Sequence, residues 1–243
     1  EPPAGECLRF AVRLIANGIF NDRQAYLAHG RAWKKSDCSG KFDPGSFIGY
    51  TSAFSGPWHG ERSEFTPPQD PHPEIEWREV LQDCDERLLA TRLMAYLYRA
   101  CVAKIPVVMG IPAKQFHQGA ALHKIVSFAR AALPVALKRD CRIRIYTTRP
   151  STYLRDLRTN LVVIPEDLGG EALVASPTAA LLDRKGKNDN GPDIDGDNSA
   201  SGYYKYAESV VDRFMARKFA ERFVPALFEF TARVAQDSGL SLA

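Results

Sequence analysis

Asp193, Asp195 and Asp197 stand at alternate positions in the segment NDNGPDIDGDN, where they offer oxygen ligands to a hard cation. A calcium loop of the EF-hand type takes oxygen ligands at its first, third and fifth positions, a glycine at the sixth and a glutamate at the twelfth. Counted from Asp193, the ligand positions are met, but the sixth residue is Asn198 and the twelfth is Tyr204. These aspartates are the chain's candidate metal ligands, and no bound metal is expected from them. The stretch 188–202 reads instead as a flexible acidic connector in which Ser199 or Ser201 caps a following helix.

Cys38 lies in Asp37-Cys38-Ser39-Gly40, which resembles the surroundings of the nucleophile in NlpC/P60-type cysteine peptidases. In those the thiol opens a helix, and the positive helix end lowers its pKa. Here KFDPGSF follows, whose proline and glycine break a helix, and His59 sits in a Pro-Trp-His-Gly turn. A loop cysteine explains the same residues. His29, His59, His72, His117 and His123 form no His-x-x-x-His pair and stand at no ligand spacing from a cysteine, so solvated or partly buried imidazoles are expected.

The densest charge lies further on. Lys138, Arg139, Arg142, Arg144, Arg149, Arg155 and Arg158 face only Asp140 and Asp156 over the same span, although the whole chain carries just +3. Arg142 and Arg144 are two apart on an alternating stretch and so share a face, which suits an acidic protein surface or a phosphate backbone. A solvated strand face explains them too. Aromatic interleaving is limited to Tyr146 and Tyr153, so nucleic acid is the weaker of the two partner classes.

The elements that position these groups follow from periodicity. LRFAVRL alternates apolar with other residues and reads as a half-buried strand. Residues 17–73 show no sustained period and are rich in glycine, serine, proline and aromatics, the composition of a functional loop or excursion. From Val80 to Val102 apolar residues form a broad helical stripe, and IPVVMGIP follows as a buried strand. A second amphipathic helix around Phe116 to Leu133 stops near Pro134; then come alternating CRIRIYTT, a helical piece at Tyr153 to Arg158, and the core-type strand LVVIP. Leu173 to Lys185 has room for further strand, and Tyr203 to Gln236 is helical with a break near Pro225.

This order predicts an α/β fold: a mostly parallel central sheet with helices on both faces, a long irregular N-terminal excursion and a long C-terminal helical region. The expected division is an α/β domain over 1–187 with an irregular insertion at 17–73, the acidic connector 188–202, and a helical segment 203–243 packed on the same domain. In such sheets ligands bind beyond the carboxyl ends of the strands. That rule selects Gly110, Lys114 and Gln115 after one strand, Thr147, Thr148 and Arg149 after another, and Glu166 and Asp167 after a third. Glu166 or Asp167 would serve as acid or base and Arg149 would hold an anionic substrate; Asp167 capping a helix is the competing reading. There is neither a Gly-x-Gly-x-x-Gly nor a Walker loop, and no cofactor is expected.

Composition adds limits. Of 243 residues 45% are hydrophobic and 25% charged, enough to bury a sizeable core and too apolar for disorder. Cys7, Cys38, Cys84, Cys101 and Cys141 contain no Cys-x-x-Cys, which fits a reducing cytoplasm, and no apolar run reaches membrane-spanning length. No membrane partner is expected.

The run LPVALKRDCRIRIYTTRPSTYLRDLRTNLVVIPEDL, with ALLDRKG and GYYKYAESVVDRF, resembles the N-terminal domains of bacterial GTPase-associated adaptor proteins from conflict and signalling operons. The resemblance covers about a third of the chain. It implies a non-enzymatic adaptor or sensor that works beside a GTPase and other proteins of its system, and it carries over no catalytic residue. On this basis the leading expectation is a cytoplasmic adaptor or ligand-sensing module whose contact residues are Arg142, Arg144, Arg149, Lys114 and Thr147. An enzyme acting on a small molecule or nucleotide at the sheet's carboxyl edge is the alternative, and a nucleic-acid-binding domain using the Arg142/Arg144 face is a third.

Overall fold

The computed structural model describes residues 8–20, 23–34, 73–112, 120–134, 137, 141–145, 147–155, 159–196 and 201–216. Strands β1 (Leu8–Phe20) and β2 (Arg23–Lys34) pair antiparallel from Leu8↔Lys34 to Phe20↔Arg23. Only Asn21 and Asp22 lie between them, residue types that tight hairpin connections favour. The register shifts between Ala16 and Ile19, a bulge that takes in Asn17 and Gly18. Regular pairing therefore enters the 17–73 stretch expected to be irregular. RQAYLAHGRAWK carries no clean alternation, so its backbone pairing left no mark in the side-chain pattern. The hairpin also forms a sheet of its own, so LRFAVRL is not a strand of the parallel sheet.

The helical stripe from Val80 to Val102 breaks into α1 (Pro73–Leu81) and α2 (Cys84–Ala103). Asp83 makes the break: its Oδ1 accepts from the amides of Asp85 at 2.9 Å and Glu86 at 3.0 Å, which starts a new helix. Arg87 reaches back to the carbonyls of Leu81 and Gln82 and closes the end of α1. Lys104, at φ 58°, ends α2 in the left-handed conformation.

The central sheet consists of β3 (Val107–Ile111), β4 (Ile143–Arg144), β5 (Leu161–Pro165) and β6 (Ala180–Leu182), parallel throughout and ordered β4-β5-β3-β6. Helices α3 (Ala120–Ala131), α4 (Pro150–Leu154) and α5 (Gly169–Ala175) occupy the crossovers, and α6 (Ser201–Ala216) follows the last strand. Alternate strand residues feed two cores. Val107, Met109, Ile111, Leu161 and Val163 join α1, α2, α3 and α6 on one face, whereas Val108, Val162 and Ile164 join Leu154 of α4 and Ala172 of α5 on the other. Being covered on both sides, β3 and β5 read as continuous apolar runs.

Helix α2 is buried all round from Leu89 to Tyr98. Tyr98 meets Tyr203 and Tyr206 of α6 edge-on at 5.2 and 5.0 Å, and Phe128 of α3 bridges Trp77 of α1 and Phe214 of α6 at 5.6 and 5.0 Å. Each such ring pair contributes about 0.5–1.5 kcal/mol beyond the area it buries. The Trp77 indole N–H donates to Ser127 Oγ at 2.7 Å, so the ring is buried without an orphaned donor.

Three local expectations shift. The paired part of CRIRIYTT is only Ile143–Arg144, the helical piece begins at Pro150 rather than Tyr153, and Leu173–Ala175 belongs to α5, leaving Ala180–Leu182 as the strand of that region. Proline at the first helical turn, where no N–H is needed, explains the early start of α4. The break expected near Pro225 lies outside the described residues. Among those described, no helix is long and apolar enough to cross a membrane.

Candidate functional site

The connection from β3 leads to α3 on one face of the sheet, and the connection from the adjacent β5 leads to α5 on the other. The carboxyl ends of β3 and β5 therefore form a topological switch point, the place at which open α/β sheets bind ligands. Gly110 and Glu166 sit there in close approach: a Cβ on Gly110 would lie 3.3 Å from the Glu166 Cα and 3.4 Å from its Cβ. Glycine at this place lets the chain leave β5 directly over β3. Glu166 and Asp167 are both exposed in a 3-10 turn (Glu166–Leu168) that runs straight into α5. Neither caps it by side chain, which overturns the capping role read for Asp167: the turn and α5 start on Pro165 and Leu168, with no side-chain cap.

Thr147 is tied to the same edge, since its N–H donates to the Val163 carbonyl at 3.1 Å. Its Oγ1 accepts from the Arg149 amide at 3.1 Å, and Arg149 then begins α4 with an exposed side chain. Gly110, Thr147, Arg149, Glu166 and Asp167 thus all belong to the carboxyl ends of neighbouring strands. Among the described residues, no hydrogen bond or ion pair joins Arg149 to Glu166 or Asp167. Lys114 and Gln115 lie outside the described residues, as do Cys38, Asp197, Ser199, His59, His72 and His117. His123 is buried on α3, and Cys101 and Cys141 are buried while Cys84 is exposed.

The basic side of the sheet is its β4 edge. Arg142, Arg144, Arg149 and Arg155 are exposed, while Cys141 is buried and Ile143 and Ile145 pack partly against the core. The alternation read from the sequence is therefore present. The Arg144 guanidinium lies over the Tyr153 ring of α4 at 5.4 Å, a cation–π contact that lays the side chain along the strand. Asn160 sets the register of this edge. Its Oδ1 accepts from the Arg142 amide at 2.9 Å and its Nδ2 donates to the Ala100 carbonyl of α2 at 3.2 Å. One buried amide thus joins β4, the start of β5 and α2.

The acidic segment is anchored between 188 and 196, unlike the flexible connector expected there. Asn188 Oδ1 accepts from the amides of Leu181 and Asn190, and Asn190 Nδ2 donates to the carbonyls of Pro177 and Ala179. Asp193 Oδ1 accepts from the Asn188 amide at 2.7 Å. Ile194, 0% exposed, is inserted in the core, and its N–H donates to the Tyr96 hydroxyl at 3.0 Å. Asp195 Oδ2 takes both Arg92 Nη2 at 2.7 Å and Nε at 3.2 Å, and Arg92 Nη1 donates to the Lys185 carbonyl at 3.0 Å. Burial opposes the Arg92 charge, but Asp195 holds its pKa above the ordinary arginine value. Burial likewise pushes the Tyr96 phenol up to about 12, in spite of the amide that donates to it.

Asp193 and Asp195 are thereby engaged within the protein, and among the described residues no group of His, Cys, Asp and Glu is arranged to hold a metal ion. Arg92, Tyr96 and Asn160 escaped the sequence reading. The available signal was Arg92 itself, a lone charge inside the apolar run LLATRLMAYLY, where charges are rarely buried unless paired. No protein-family model, curated protein or solved structure matches the chain.

Proposed function

We propose that the chain is an adaptor, a partner-binding module of a bacterial signalling or defence system, whose contact surface is the arginine edge at β4. One observation carries this reading: Arg142, Arg144, Arg149 and Arg155 are exposed together, and none is ion-paired among the described residues. Like charges gathered on one edge repel one another, and a negative partner surface relieves that repulsion and speeds its own approach. The GTPase-associated character rests on the resemblance of the stretch that carries these arginines.

Copurification of the chain with the products of neighbouring operon genes, a GTPase among them, tests the reading. Coelution that is lost on Arg142→Glu/Arg144→Glu and weakens with salt is the expected result. A monodisperse chain that ignores every neighbour would refute it, and oligonucleotide binding with a steep salt dependence would transfer the edge to nucleic acid.

A second reading, an enzyme handling a small molecule or nucleotide, is favoured by the switch point between β3 and β5 with exposed Glu166 and Asp167 beside it. In it one carboxylate moves a proton and Arg149 holds an anionic group. Turnover abolished by Glu166→Gln or Asp167→Asn would establish it; thermal shifts of those variants identical to wild type with every anionic ligand tried would remove it.

A further inference from the structure

The geometry points to the outer edge of β4, unpaired among the described residues, as the docking line for an extended acidic segment of a partner protein, which adds to the sheet as a further parallel or antiparallel strand. This rests on the partner-binding reading above and specifies how the partner binds. The Arg142 carbonyl accepts from the Asn160 and Leu161 amides, so Arg142, and by strand alternation Arg144, direct their backbone groups toward β5. Ile143 accordingly turns its N–H and C=O outward, and no described element pairs with it. Backbone groups unpaired at a sheet edge are a template for another strand.

The side chains state which strand. An incoming chain shares the pleat of β4, so residues beside Arg142 and Arg144 lie on the arginine face and the residues between them lie on the face of Ile143 and Ile145. Acidic residues alternating with β-branched apolar ones satisfy both. Arg144, held along the strand by Tyr153, is already placed for a carboxylate. A second copy of this chain is disfavoured, because its own arginines would come opposite these. The other edge of the sheet is closed: Asn188 bridges to Leu182, accepts from the Leu181 amide by its side chain, and Asp189 N–H takes the Leu181 carbonyl.

The probe is an acetylated, amidated peptide of alternating Glu and Val, titrated into the full chain, alongside two versions N-methylated on either alternate set of amides and a Lys/Val control. Binding of the parent peptide, loss of at least about tenfold in one methylated version, and a comparable loss on Arg142→Glu/Arg144→Glu are expected. Amide exchange at Ile143 should slow on binding. If charge reversal abolishes binding while both methylated peptides bind like the parent, strand addition falls and the basic contact surface stands. If no acidic peptide binds, or charge reversal changes nothing, both fall. A concentration-dependent dimer that protects Ile143 without peptide would overturn the proposal in favour of self-pairing.

Discussion

Replacing Gly186 by alanine should destabilise the protein, and the same change at Gly170 should not. Gly186 sits at φ +73° in the turn after β6, and a Cβ there would lie 3.0 Å from the Arg92 Cβ and 3.3 Å from both Arg92 Cδ and Leu89 Cδ1 of buried α2. Left-handed backbone costs alanine about 1–2 kcal/mol. Forcing a methyl into a packed contact with helix stems adds about 1–3 kcal/mol, and the stiffer unfolded chain gives back about 0.4–1 kcal/mol. The net is a loss of about 2–4 kcal/mol. Gly170 stands in α5 with nothing within 4 Å of its missing Cβ, so alanine there should gain about 0.5–1 kcal/mol by helix propensity. Urea unfolding followed by circular dichroism reads both: with a slope of roughly 2–3 kcal/mol per molar, the midpoint of Gly186→Ala drops by roughly 1 M and that of Gly170→Ala rises slightly. Equal midpoints for the two variants, or a shift of the same sign in both, would show that the turn is not pressed on α2 and that the Arg92 latch is misjudged.

Further outcomes follow from the same contacts. Tyr96→Phe orphans the buried Ile194 N–H and should cost about 1–3 kcal/mol. Because the Tyr96 phenol is raised from 10.0 to about 12 in the folded state, the folded protein holds the extra proton across that window; stability present below pH 10 is lost as pH rises toward 12, and the phenylalanine variant should lack that part of the alkaline slope in unfolding curves. Asp195→Ala leaves Arg92, 8% exposed, with the Lys185 carbonyl as its hydrogen-bond partner among the described residues; because the Asp195 side chain is 25% exposed, a loss of about 1–3 kcal/mol, with proteolysis appearing first in the 188–196 segment, is expected, and a neutral effect in thermal melts would contradict the pairing. Asn160→Ala strips both the Arg142 amide and the Ala100 carbonyl of their partner and should cost about 2–3 kcal/mol, with faster amide exchange at Arg142 as the local readout.

What the sequence revealed, and what it concealed, follows from where each residue's partners lie. IPVVMGIP and LVVIP announced β3 and β5 because strands covered on both faces need apolar residues without interruption. Arg142 and Arg144 were legible as one face because strand geometry fixes period two. The break at Asp83 was hidden by the apolar stripe that continues across it, although the Asp-Cys-Asp-Glu run carries the acidic signature of a helix start. The acidic segment was least legible. Its aspartates looked solvated because the groups that hold them are remote in sequence: Arg92 is 103 residues from Asp195, and Tyr96 is 98 residues from Ile194. No local pattern encodes such a pairing. Strand β2 stayed hidden for the opposite reason, since its hairpin contact is short-range but made by backbone groups that every sequence possesses.

The closure of β6 by Asn188 and Asn190 sets a limit on stoichiometry. A sheet with two open edges can copy itself without end, each added chain presenting a fresh edge to the next. Here one side terminates in side-chain amides folded back from the chain's own turn, so among the described residues the β6 side offers no open edge for further pairing. If a strand docks at β4 as proposed, it meets a sheet capped at its other side, and complexes built through it should be discrete in size instead of growing into ribbons.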